Sequence, residues 1–159
     1  AVQARIDHLM GIKGKKSVDS IHKELGHIMW EYVGMGRTEE GLKTALKLLK
    51  DIRKEFETNL FIPGSTEGVN IELEKALRLN DFITMGELIA YDALNRNESC
   101  GGHFREEYQT EEGEAKRDDE NYFYVSCWEY QGSDDVAPVL YKEPLVYEAI
   151  KVQTRNYKS

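Results

Sequence analysis

The chain has 159 residues, with 21 Lys and Arg against 29 Asp and Glu and a net charge of -8. This length suits one ordinary domain that buries about 70% of the surface its unfolded chain exposes, so no metal or disulfide staple is needed. The acidic balance excludes general affinity for nucleic acid or for anionic lipid.

Cys100 and Cys127 are the only cysteines, and no secretory signal or long apolar run accompanies them. This usage reads as a reduced, cytoplasmic protein with no direct membrane insertion. The first residues, Ala-Val-Gln-Ala, lack an initiator methionine and suggest processing or excision from a longer polypeptide. Cys100 and His103 have a C-x2-H spacing. A structural zinc takes four ligands, the candidates to complete the set include Cys127, His8 and His22 at scattered positions, and no metal site is expected.

In chain order, a short leading helix is predicted from Val2 to Met10. Val18, Ile21, Leu25, Ile28, Met29 and Tyr32 then step by three and four, predicting a helix from about Val18 to Val33 with Ser17 as N-cap and Gly34 and Gly36 at its end. A second bundle helix follows Thr38 and runs through Leu42, Ala45, Leu49, Ile52 and Phe56, stopping before Pro63. A third starts at Asn70 and continues to about Leu94. Its apolar residues, among them Leu77, Phe82, Ile83, Leu88 and Ile89, wrap most of the circumference, which suits a helix at a bundle centre or against a second body.

From Tyr122 the period changes to two, so a strand is predicted from Tyr122 to Tyr130. A turn follows at residues 131–135, and Val139, Leu140 and Tyr141 return antiparallel. Pro138 is tolerable only at a strand start or an edge, and Pro144 ends the return. The tail from Val146 to Val152 lies on the bundle or pairs with the hairpin, and Arg155 onward frays. The fold expected is mainly α: an antiparallel three-helix bundle with a short leading helix, then a small antiparallel β-hairpin and an extended tail. It forms a single domain over 1–159, divided into a bundle (1–95), an irregular joint (96–121) and a hairpin with tail (122–159).

The joint holds the chemistry-bearing residues: Glu98, Ser99, Cys100, Gly101, Gly102, His103 and Arg105, then Arg117, Asp118 and Asp119. A thiol-nucleophile reading takes Cys100 as thiolate, His103 as base and Glu98 as orienter. The close spacing argues against it, because cysteine hydrolases bring the pair together from distant segments. A phosphate cradle at Gly101-Gly102 lacks the strand-loop-helix unit and the Gly-Lys pair. The residues read better as structural. The glycines allow positive φ or close approach where the long helix ends, while Glu98, His103 and Arg105 satisfy backbone groups and one another, with Arg117 and Asp118 as further ion-pair partners. The eight acids between Glu106 and Glu120 read as a solvated loop, as does the basic turn Lys13, Lys15 and Lys16. Tyr124 and Trp128 read as packing residues, since a stacking platform for nucleic acid needs adjacent positive charge.

The order of a helical bundle, then Glu98-Ser99-x-Gly101-x-His103-x-Arg105, then Arg117-Asp118-Asp119 and a short aromatic strand resembles the C-terminal helical domain of the flavoprotein subunit of fumarate reductase and succinate dehydrogenase. The pattern resembles that of the Bacteroides type. The stretch from Ser17 to Trp30 is similar to the family's second helix, so the resemblance covers nearly the whole chain. L-aspartate oxidase and adenylylsulfate reductase flavoproteins have related domains. The family usually has arginine where this chain has Cys100, so an ion pair made by that arginine is missing here.

The resemblance implies a non-catalytic domain that buttresses the FAD-binding domain of the same polypeptide and the interface with an iron-sulfur subunit. It implies FAD in the parent and none in this chain, where no dinucleotide fingerprint occurs. The parent would interconvert fumarate and succinate in anaerobic respiration or the citric acid cycle, in a complex on the cytoplasmic face of the inner membrane. No catalytic or cofactor-binding residue is carried over. The rival readings are a free-standing helical interaction module and a thiol enzyme.

Overall fold

The computed structural model describes residues 2–133 and 136–153. Its backbone divides into two compact units, Ala1–Asn95 and Arg96–Ser159.

The first unit contains four helices: α1 (Val2–Gly11), α2 (Val18–Val33), α3 (Glu39–Asn59) and α4 (Ile71–Asn95). Three of them start on side-chain caps. The Ser17 and Thr38 hydroxyls accept the N–H groups of Ser20 and Gly41, and Asn70 Oδ1 accepts that of Leu73 at 3.0 Å. Each cap satisfies a donor that the first helical turn cannot. Lys16, just before α2, reaches Glu24 of α2 and Glu55 near the end of α3, so these two helices run antiparallel. Lys75 near the start of α4 reaches Asp19 at the start of α2, which makes those two parallel. The bundle is therefore up-down-up.

Among the described residues, the buried apolar core lies in this unit. Ile21 and Leu25 of α2, Leu42, Ala45, Leu49 and Ile52 of α3, and Ala76, Leu79, Ile83 and Ala90 of α4 form one cluster, joined by Leu9 of α1. Gly86 lies where α4 comes close to α2 and α3. A Cβ there would stand 3.2 Å from Met29 Sδ, with Leu25 and Leu49 methyls at 3.6 and 3.7 Å.

The loop 12–16 is not simply solvated. Gly14 N–H donates to the Leu60 carbonyl, the Lys15 and Lys16 N–H groups to that of Asn59, and Phe61 N–H to Lys16. This tie fastens the entry of α2 to the exit of α3. Gly14 is required in it, because a Cβ would lie 1.9 Å from the Asn59 carbonyl carbon.

The second unit has a one-turn helix α5 (Asp119–Tyr122) and a two-stranded antiparallel hairpin, Tyr124–Glu129 with Val139–Pro144. Strand structure begins two residues later than the sequence pattern suggests. Asp118 takes the Asn121 N–H on its side chain and holds residues 119–122 helical, so the alternation at Tyr122 and Phe123 belongs to a turn and its exit. Pairing sets Tyr124 opposite Pro144, Ser126 opposite Lys142 and Trp128 opposite Leu140. The Tyr124, Ser126 and Trp128 face is half-buried; Val125, Cys127 and Glu129 are exposed. Pro138 directly precedes the returning strand. In the tail, Tyr147 meets the Phe123 ring edge-on at 5.7 Å, and residues 145–153 hold no strand. Asp134 and Asp135 of the turn, and the residues from Arg155 onward, lie outside the described residues.

The architecture is thus mainly α with one small hairpin. Among the described residues, no helix is long and apolar enough to cross a membrane.

Candidate functional site

The second unit buries no apolar side chain fully among its described residues. Its buried positions are Glu98, Ser99 and Arg105. Buried polar groups are tolerable only when hydrogen-bonded, and the segment 96–119 meets that requirement closely.

Arg96 is its centre. One guanidinium nitrogen, Nη1, donates to Glu98 Oε1 at 2.7 Å and to the Tyr122 carbonyl at 3.2 Å; Nη2 donates to the Tyr124 carbonyl at 2.9 Å. The guanidinium also stands over the Tyr122 and Tyr124 rings, 5.6 and 5.2 Å from their centroids, a cation–π arrangement. Planar forks of this kind recognise a carboxylate and a pair of carbonyls together, which a lysine would do poorly. The second Glu98 oxygen accepts the Asp118 N–H at 2.9 Å, and Asp118 then caps α5. Glu98 therefore links residue 96 to the start of α5 through both of its oxygens.

Ser99 is fully buried. Its Oγ accepts the Arg105 N–H at 2.8 Å and donates to the Arg105 carbonyl at 3.1 Å, closing a loop around the intervening turn. In that turn Cys100 and His103 exchange backbone hydrogen bonds of 2.8 and 3.0 Å. Gly101 has φ +59° and Gly102 a negative φ, the sign pattern of a type II′ turn with glycine at its first central position. Gly101 thus supplies positive φ six residues beyond the end of α4, not at the helix terminus itself. The His103 imidazole donates from Nε2 to the Arg96 carbonyl at 2.9 Å.

Arg105 lies buried against Tyr108, its guanidinium 5.5 Å from the ring centroid, with Nε donating to Glu107 at 3.1 Å. Arg117 pairs with Asp119 through Nε and Nη2, and donates to the Gln153 carbonyl from Nη1. The Asp119 hydrogen bonds hold the Arg117 guanidinium above its usual pKa, with partial burial opposing and the charges of Asp119, Cys100 and Glu98 adding to the rise.

Glu98, Ser99, His103, Arg105, Arg117 and Asp118 are thus gathered in one network, but its pairings differ from a Glu98, His103 and Arg105 cluster. Glu98 takes Arg96, His103 takes a carbonyl, and Arg105 takes Glu107 and Tyr108. The sequence reading did not single out Arg96. Cys100 carries a free, half-buried thiol, and the imidazole three residues on is engaged with the Arg96 carbonyl. Among the described residues no three His, Cys, Asp or Glu side chains could hold a metal ion together. A shallow groove between α2 and α3, lined by Glu24, His27, Asp51 and Glu55, has two of its carboxylates taken by Lys16.

Residues 22–157 match the family model described as "Fumarate reductase flavoprotein C-term". The chain belongs to that family. The flavoprotein subunit of fumarate reductase from a Serratia species is 31% identical over 121 residues, covering 76% of this chain and 19% of the relative. L-aspartate oxidase 2-b of Nicotiana tabacum is 37% identical over 88 residues, covering 55% of this chain and 13% of the relative. The solved structure "Quinol-Fumarate Reductase with Menaquinol Molecules" shares the fold at a TM-score of 0.77 and 24% identity, covering 94% of this chain and 25% of that one. The chain spans less than a fifth of the length of these curated relatives.

The family is one of flavoproteins, so the fit of this chain's own residues to FAD can be examined. A flavin dinucleotide is held through its pyrophosphate at an uncapped, glycine-rich helix N-terminus. The sequence has no Gly-x-Gly-x-x-Gly, and α2, α3, α4 and α5 each have one first-turn N–H taken by a side chain, that of Ser17, Thr38, Asn70 and Asp118 respectively. These residues do not fit the group.

Proposed function

We propose that this chain is the non-catalytic C-terminal domain of a flavoprotein that interconverts fumarate and succinate, and that it buttresses the FAD-binding domain and the interface with an iron-sulfur subunit. What carries the reading is how the polar residues of the joint are used. Arg96, Glu98, Ser99, Arg105 and Arg117 are engaged with one another's chain segments and with local carbonyls. A dicarboxylate site needs cationic side chains directed at a ligand, and these are directed at the fold. On this reading 1–159 acts as one domain, with 96–121 as a joint between bundle and hairpin. Glu98, Ser99, Gly101, His103, Arg105, Arg117, Asp118 and Asp119 are its structural residues, and the parent complex sits on the cytoplasmic face of the inner membrane.

The experiment is a fumarate reduction assay with reduced viologen, run on this chain and on the full-length flavoprotein that contains it. Turnover by the full-length protein and none by the chain is expected; turnover by the chain alone overturns the reading. The 37% identity to L-aspartate oxidase favours a second reading, in which the parent oxidises L-aspartate. Aspartate-dependent flavin reduction in the full-length protein, without succinate-dependent reduction, selects it.

A further inference from the structure

We draw no further inference here: the strongest candidate, the shallow groove between α2 and α3 with Ile28, Leu48 and Ile52 among its lining, has two of its carboxylates, Glu24 and Glu55, taken by Lys16, and nothing in the structure shows what covers it.

Discussion

The Arg96 guanidinium and the Glu98 carboxylate meet at 2.7 Å, and between them they bind Tyr122, Tyr124 and Asp118 to the residues directly after α4. The Glu98 side chain is 3% exposed, so its charge is balanced by Arg96 and by the Asp118 N–H in place of water. Removing one partner of a buried pair typically costs about 3–5 kcal/mol, because the other charge is stranded.

Arg96→Met should therefore lower the stability of the second unit by roughly 3 kcal/mol. Native-state hydrogen exchange reads this directly, as faster exchange of the hairpin amides from Val125 to Glu129 with the α3 core amides unchanged. Unchanged hairpin protection would show that the aromatic faces hold the segment without the ion pair.

The Cys100–His103 turn separates two adjacent glycines. Gly101 has φ +59°, where an alanine pays about 1–2 kcal/mol, and a Cβ on Gly102 meets nothing within 4 Å. Urea unfolding should show Gly101→Ala destabilised by that amount and Gly102→Ala nearly neutral. Equal effects would contradict the turn geometry.

Gly14 and Gly26 make a similar contrast in the bundle. A Cβ on Gly14 would overlap the Asn59 backbone at 1.9 Å, and the tie between the ends of α2 and α3 cannot yield without breaking. Gly14→Ala should cost several kcal/mol, on the order of 4, among the large effects of single substitutions. Gly26 lies inside α2 with open space around it, and Gly26→Ala should stabilise the isolated chain by roughly 0.5–1 kcal/mol. Thermal melts of both variants measure the difference in sign.

Lys16, Glu24 and Glu55 set a pH dependence at both extremes. Hydrogen bonding from Asn59, then from Lys16, holds the Glu55 carboxyl below its usual 4.5, so its contribution is present above that value and is lost as pH falls below it. The Glu24 hydrogen bond, followed by the Glu24 charge and the Glu55 contacts, raises Lys16 above 10.5 against partial desolvation. Its contribution is complete below 10.5 and is lost as pH rises past its elevated value. Lys16→Met should flatten the stability profile at both ends, with the smallest change in slope between pH 6 and 9. A parallel profile across the whole range would contradict the coupling.

The bundle was legible in the sequence because its determinants are local. Ser17 and Asn70 stand at the predicted helix starts and Thr38 caps the helix predicted to follow it, and the three-and-four spacing of Ile21, Leu25, Leu42, Leu49 and Ile52 marks the core face. The later start of the hairpin was hidden by two overlapping signals. Tyr122 and Phe123 continue the alternation of the strand, while Asp118 provides a cap that draws Tyr122 into a helical turn. Arg96 escaped notice because what it does is non-local. Its carbonyl acceptors are 26 and 28 residues away, and no spacing rule points to them. The tie at Gly14 was missed for the same reason, since the Leu60 carbonyl that takes its N–H lies 46 positions on.

Flavin titration of this chain tests the account most directly. With its glycine-rich cradle absent and α2 through α5 capped by their own side chains, the chain should leave FAD fluorescence and absorbance unchanged at micromolar concentrations, and equilibrium dialysis should retain no flavin. Stoichiometric, saturable uptake of FAD by residues 1–159 would contradict a domain that supports a flavoprotein without holding its cofactor.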